Sequence, residues 1–413
     1  MNSALRPFQI GPEQYSGNTE YGEHIKMPEE PGGFESMSGS RMSHEERQTQ
    51  AKRFMERFPF LLLIIACAVL LPPSGWSQTN EETCGITIQQ ITDEALLDAM
   101  KSLDPKGMVI TVAEPKAGRI LAISGCMKET IPELQNHKGW VCWEMFEPES
   151  TFKPVVAVAA LETGVITPKT KINCEHGVVC HQGELIRDSS PLGEATVGEI
   201  LSKSSSIGAF KLSTLLKDED FYNFILKFGF GERTGIPFPD EIKGLVNPPS
   251  KWLELSKAHM SFGRSVAVSS IQLTMAYCAI ANGGLLMRPT LGNEKPKVVR
   301  RVCSEQTANL VKSALRSAVF SDGTAPVAGV DGMTAGGMAG RVQAINLKDG
   351  SYLPNQYWNM LAGFFPADDP RYVVVVAVDR ANLPPEKNTS RLVAAPIFRK
   401  VASKISAIGS PSP

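Results

Sequence analysis

The sequence predicts an α+β domain, an antiparallel sheet flanked by helices with a helical subdomain. Three observations predict the layers. Two β-rich runs, MVITV and RILAIS, flank the turn Glu114-Pro115-Lys116-Ala117-Gly118 and read as an antiparallel hairpin. A second pair, WNMLAGFFPA and RYVVVVAVD, flanks Asp368-Asp369-Pro370 near the end of the chain. Between them, residues 150–320 are mostly helical in pattern, with Gly-rich breaks such as Phe228-Gly229-Phe230-Gly231. Strands from distant parts of a chain, with helices between and after them, pack as one sheet carrying a helical insertion.

In chain order, residues 1–57 are polar, with a Pro/Gly-rich stretch from Pro28 to Gly33 and a charged run from Glu45 to Arg57, and read as a disordered tail. Phe58 to Leu71 reads FPFLLLIIACAVLL, preceded by Lys52, Arg53 and Arg57 and closed by Pro72-Pro73. These 14 residues are fewer than the roughly 20 that span a bilayer as a helix. Residues 58–76 therefore read as a signal peptide or a short signal anchor, with Met42 or Met55 as alternative starts. Cys67 as a lipid-attachment site and a buried core helix are the other readings of this run. Residues 77–107 form an approach segment with a helix from Thr92 to Leu103, the main domain spans residues 108–407, and a last helix covers Leu392 to Ile405.

Composition excludes several function classes. Lys plus Arg is 42 and Asp plus Glu is 43, a net charge of -1, so nothing points to nucleic acid. Eight cysteines in 413 residues are too few for a disulfide framework. Cys174 and Cys180 read as a disulfide across a hairpin of an exported loop, in preference to a metal site shared with His176 and His181. Neither a metal nor a cofactor is expected.

The sharpest chemical signal is FEPESTFKP, followed by the apolar VVAVAALETG. This predicts a buried helix closed by Gly164, with Ser150 and Lys153 in its first turn, where Pro154 is tolerated because the N–H groups there have no helical partner. Three-residue spacing puts hydroxyl and ammonium on one face. A lysine stripped of water can lose its proton near neutrality and deprotonate the serine for attack on a carbonyl. The Ser150 backbone N–H is then offered to the developing oxyanion. Ser-x-x-Lys alone also arises as a helix-capping serine beside a surface lysine, so the rest of the chain must agree.

It does. STFKP, the upstream PKAGRILAIS, FGFGERTGIPFPDEIKG, SFGRSVAVSSIQLTMAYCAIANGG and AGFFPADDPRYVVVVAVD occur in the order seen in penicillin-binding transpeptidase domains. Over residues 85–405 the chain resembles the monofunctional, class B-like peptidoglycan D,D-transpeptidases. The resemblance implies a serine β-lactamase/transpeptidase-like α+β fold, with the active site where sheet and helical subdomain meet. It implies three motifs: Ser-x-x-Lys, Ser-x-Asn and Lys-Thr/Ser-Gly. The first is intact as Ser150 and Lys153. The second matches Leu201 to Gly208, with Ser204 as the proton relay and Ser206 where asparagine is expected. A hydroxyl lacks an amide's paired donor and acceptor. The third falls after Asp322-Gly323-Thr324-Ala325, with Gly337-Met338-Ala339 in place of Lys-Thr-Gly and one residue inserted before Gln343. Arg341 then offers a substitute cation with different donor geometry. Glu149 stands where the family usually has glycine, and its charge opposes proton loss from Lys153. Ile186-Arg187-Asp188 reads as structural.

The implied function is acyl transfer in cell-wall synthesis, Ser150 attacking the D-alanyl-D-alanine end of a stem peptide, slowed by two altered motifs. The implied partners are the peptidoglycan stem peptide, β-lactams, and cell-wall synthesis or division proteins. The implied location is the cytoplasmic membrane with a periplasmic domain, or the periplasm itself. A non-catalytic scaffold of the same fold, and a β-lactam sensor or hydrolase, are the alternatives.

Overall fold

The computed structural model describes residues 86–128, 144–238, 241–319, 328–329, 332–346 and 349–408. The tail, the apolar run with Cys67, the start of the approach segment with Cys84, Cys142, and Asp322 to Ala325 lie outside the described residues. Among the described residues no helix is long and apolar enough to cross a membrane.

Six strands form the main sheet: β1 (Gly107–Glu114), β2 (Arg119–Met127), β3 (Thr290–Leu291), β4 (Gly336–Ile345), β5 (Tyr352–Phe365) and β6 (Tyr372–Asp379), in the order β3-β2-β1-β6-β5-β4. Both expected hairpins form, and β1 pairs with β6 in the register Val109↔Ala377 and Ile110↔Val376, joining the two ends of the domain. The sheet is antiparallel except where short β3 runs parallel to β2. Every residue of β6 is buried. An unbroken apolar strand needs cover on both faces, and helices supply it.

The helices that position the site are α1 (Ile88–Leu103), α2 (Lys153–Glu162), α3 (Val197–Ser202), α4 (Ser206–Thr214), α5 (Ser270–Ala281), α6 (Glu305–Val319) and α7 (Ala394–Ala407). On one face of the sheet, Ile91 and Leu96 of α1 and Val401 and Ile405 of α7 pack with Ile110, Val374 and Val376. On the other, Ile271 and Met275 of α5 and Val155 to Ala160 of α2 share a core with Val109, Val373 and Val375.

Helix α1 starts four residues before the expected Thr92. A capping box explains the earlier start: the Gln90 N–H donates to the Thr87 hydroxyl and the Thr87 N–H to the Gln90 side chain. This helix is core rather than approach, burying Ile88, Ile91, Ala95, Leu96 and Ala99 at helical spacing. Helix α2 begins at Lys153 with Pro154 in its first turn, as expected, and Gly164 follows with φ of +72°. It is apolar on all sides because it runs through the middle of the molecule.

The expected Cys174–Cys180 disulfide is not formed; both thiols are free. Cys174 is buried ahead of a short turn and donates to the Ile172 carbonyl, whereas Cys180 is exposed on a strand paired with residues 184–187. The two cysteines do not belong to one hairpin. Among the described residues no group of three or more His, Cys, Asp or Glu is placed to hold a metal ion.

Candidate active site

Ser150 lies in a single 3-10 turn, Glu149–Phe152, that runs directly into α2. The turn is fixed from three sides. The Glu149 N–H donates to the Gly263 carbonyl at 2.9 Å. A Cβ on Gly263, whose φ is +77°, would stand 2.2 Å from the Glu149 oxygen, so only glycine admits this contact. From α5, the buried Tyr277 hydroxyl donates to the Thr151 carbonyl at 3.0 Å. Ahead of the turn, the Glu147 carboxylate accepts from the Ser265 N–H at 2.8 Å and the Tyr352 hydroxyl at 2.9 Å. Burial pushes the Glu147 acid up to about 7.

Lys153 is 1% exposed. Its ammonium donates to the Ser204 carbonyl and, at 3.1 Å each, to the hydroxyls of Ser204 and Ser206. Burial holds the lysine below its ordinary value, against the pull of the Glu149 and Asp188 carboxylates. The charge of Glu149 therefore opposes proton loss, as expected, without outweighing desolvation. The first two motifs thus meet through this one side chain.

Ser204 turns the chain between α3 and α4 with φ of +54°, a conformation L-residues rarely adopt. Asp188 secures the start of α4: its carboxylate accepts from the Ser206 N–H at 2.6 Å, the Ile207 N–H at 3.1 Å and the Ser205 hydroxyl. The structural role read for Ile186-Arg187-Asp188 is thus a cap that fixes both serines in front of Lys153.

The third motif needs correction. Gly337, Met338 and Ala339 do not line the Ser150 turn. Gly337 lies against the backbone of Ala362 and Gly363, Met338 is fully buried in the core, and Ala339 packs toward the sheet's other face. Gly340 is the residue at the turn: a Cβ there would be 3.0 Å from the Pro148 oxygen and 3.4 Å from the Ser150 nitrogen. Gly340, rather than Gly337, is thus the glycine of this strand that meets the Ser150 turn.

Arg341 is also corrected. Its guanidinium stacks 3.7 Å from the Tyr357 ring centroid and donates to the Pro385 carbonyl at 3.0 Å. Pleat alternation sends it to the face opposite the one Gly340 turns to the Ser150 turn. Its backbone is placed differently. The Gly340 carbonyl points toward β5, where it accepts from the Ser390 hydroxyl. Alternation along the edge strand β4 therefore turns the Arg341 N–H to the unpaired side.

One hydrogen bond departs from the expected chemistry. The Ser150 N–H, expected to face a developing oxyanion, donates to the carboxylate of its neighbour Glu149. Glu149 has φ of +48°, which brings its side chain back over that amide.

The family model of the penicillin binding protein transpeptidase domain matches residues 108–403. The chain belongs to this family. Among similar proteins, penicillin-binding protein PbpB of Mycolicibacterium smegmatis is 29% identical over 367 residues, covering 80% of this chain and 56% of the relative. Stage V sporulation protein D of Bacillus subtilis is 32% identical over 320 residues, covering 71% and 48%. The chain thus spans about half the length of the curated relatives it matches. Among solved structures, the transpeptidase domain of Burkholderia pseudomallei penicillin-binding protein 3 superimposes with a TM-score of 0.70 at 31% identity, covering 78% of this chain and 95% of that one. Penicillin-binding protein 3 of Mycobacterium tuberculosis, solved with ampicillin bound, gives 0.68 at 28% identity, covering 79% and 78%. The α+β fold of these penicillin-binding domains is the fold of this chain.

Sequence reasoning reached Ser150, Lys153, Ser204 and Ser206; the structure joins Lys153 to both later serines by hydrogen bonds and places Ser150 in the turn that leads into the helix of Lys153. It missed Gly340, which stands one residue beyond the three singled out on that strand, and the anchoring acid Glu147, which lies two residues from the turn inside FEPES and carries no signal of its own.

Proposed function

We propose that this chain is a serine acyltransferase of cell-wall synthesis, a peptidoglycan D,D-transpeptidase carried to the outer face of the cytoplasmic membrane by residues 58–71. Its substrate is the D-alanyl-D-alanine end of a stem peptide, and β-lactams acylate the same serine. Ser150 Oγ attacks the penultimate carbonyl while its proton passes to neutral Lys153, directly or through the Ser204 hydroxyl. The carbonyl electron pair moves onto oxygen, beside the N–H groups of Ser150 and Arg341. Its return expels the terminal D-alanine, whose nitrogen takes the proton back. A neighbouring stem's amine then attacks the ester by the same steps and restores the serine.

The observation that carries this reading is a fully buried, desolvated lysine one helical turn after the serine, bonded to the hydroxyl that relays the proton. A fluorescent penicillin is expected to label the full chain in detergent and to leave Ser150→Ala unlabelled. Equal absence of label in both rejects the reading.

A scaffold function, binding wall precursors or division proteins without catalysis, is favoured by one observation: the buried Met338 offers no cation on the strand whose Gly340 meets the Ser150 turn. Full rescue of a chromosomal deletion by Ser150→Ala supports it, and failure despite normal expression rejects it.

A further inference from the structure

The Ser150 N–H is the amide next to the carbonyl under attack, and in this structure it already has an anionic acceptor. The Glu149 carboxylate, from the adjacent residue, takes its hydrogen. Two further observations show that this is built into the turn. Glu149 holds a φ of +48°, and its own N–H is locked onto the Gly263 carbonyl at 2.9 Å, so the backbone presents the carboxylate toward the amide. The other wall of the same spot is closed by Gly340, whose missing Cβ would lie 3.4 Å from the Ser150 nitrogen.

We infer that Glu149 is an internal occupant of the oxyanion site, and that acyl transfer on Ser150 proceeds only when its carboxylate leaves the Ser150 N–H. The inference deepens the acyltransferase reading and rests on it. A tetrahedral oxyanion and a carboxylate cannot share one N–H, and a fixed negative charge beside the carbonyl opposes the charge that develops there. One oxyanion donor is worth about 10²–10³ in rate, which sets the ceiling on the effect. Glu149 is half-buried rather than enclosed, so its carboxylate is not sealed onto the amide. The site is thereby held in check until substrate or a partner displaces the carboxylate.

Two variants test it. Glu149→Gly removes the side chain and suits the positive φ, so its melting temperature is expected to be unchanged or higher. Glu149→Gln removes the charge but keeps an oxygen able to sit on the same amide. Occupancy and charge are thereby separated, since both variants take the same negative charge away from Lys153. The readout is the second-order rate of labelling by a fluorescent penicillin on the full chain in detergent, with Ser150→Ala as the blank. Labelling of Glu149→Gly is expected to be at least about tenfold faster than wild type, with Glu149→Gln between. Labelling of wild type and both variants at one rate, or of Gln as fast as Gly, overturns the inference and leaves the serine reading standing. Absence of label in every protein, including Glu149→Gly, overturns both.

Discussion

Replacing Glu147 by glutamine should remove a pH dependence of stability that this fold carries in its interior. Glu147 is 4% exposed, and burial is the largest influence on it, raising the acid from an ordinary 4.5 to about 7 against the opposing pull of the Ser265 N–H, Arg264 and the Tyr352 hydroxyl. Below pH 4.5 the group is protonated whether the chain is folded or not. Between 4.5 and 7 the native protein holds a proton that the unfolded chain has released, so stability falls as pH rises, and above 7 the loss is complete. The separation corresponds to about 3 kcal/mol. Glutamine has the same length and can still accept from the Ser265 N–H, but does not titrate. Urea unfolding of wild type and Glu147→Gln at intervals from pH 4.5 to 8 should therefore show the variant gaining about 3 kcal/mol relative to wild type across that span. Parallel stability curves would refute the claim that the carboxylate is buried and costly to ionise.

Three other substitutions probe the parts around Ser150. Lys153→Met should abolish penicillin labelling while leaving the melting temperature unchanged or higher, because it removes a buried amine without removing its volume. It should also flatten the rise in wild-type stability as pH climbs toward 10.5, where the unfolded chain still holds a proton that the folded lysine has lost. Asp188→Ala strips the cap from three donors around Ser205 to Ile207 and should cost about 1–2 kcal/mol by denaturation, with slower labelling as Ser204 and Ser206 drift from Lys153. Gly340→Val should push β4 away from the Pro148 carbonyl and cut the labelling rate at least about tenfold, an expectation refuted by wild-type labelling in a folded variant.

How much of this was legible in the sequence depends on what encodes each feature. The hairpins were readable because apolar runs around Pro, Gly and Asp turns carry their own signal, and α2 because its run of Val and Ala ends at a glycine. The start of α1 was misplaced by four residues because Thr87 and Gln90 form a reciprocal cap that apolar spacing does not show. The disulfide failed for a similar reason. Six residues of separation resemble a hairpin bridge, yet a short turn intervenes and buries one thiol while the other faces water. Within the site, the pairing of Lys153 with Ser204 was legible because motif resemblance singled out both. Gly340 was not, since a one-residue shift on a strand exchanges its faces, and only the coordinates choose the register.

The same distinction separates what this site has kept from what it has altered. The features supplied by the backbone are in place: the Gly263 carbonyl under the Ser150 turn, the glycine that lets β4 approach it, and the Arg341 N–H on the free edge. They arise from the backbone, and a side chain added at Gly263 or Gly340 would disturb them. The departures lie in side chains, and they act in one direction. Met338 withholds a cation from the edge strand, the Arg341 guanidinium is spent on Tyr357 and Pro385, and Glu149 adds an anion at the amide. Each lowers the affinity of the cleft for negative charge, and stem peptides and penicillins both arrive with a carboxylate. On the proposed mechanism, the buried Lys153 with its Ser204 and Ser206 partners leaves proton transfer less affected than attraction for the ligand. The loss should therefore appear mainly in the concentration needed to half-saturate acylation rather than in its maximal rate, except for the share that Glu149 takes by sitting on the Ser150 N–H.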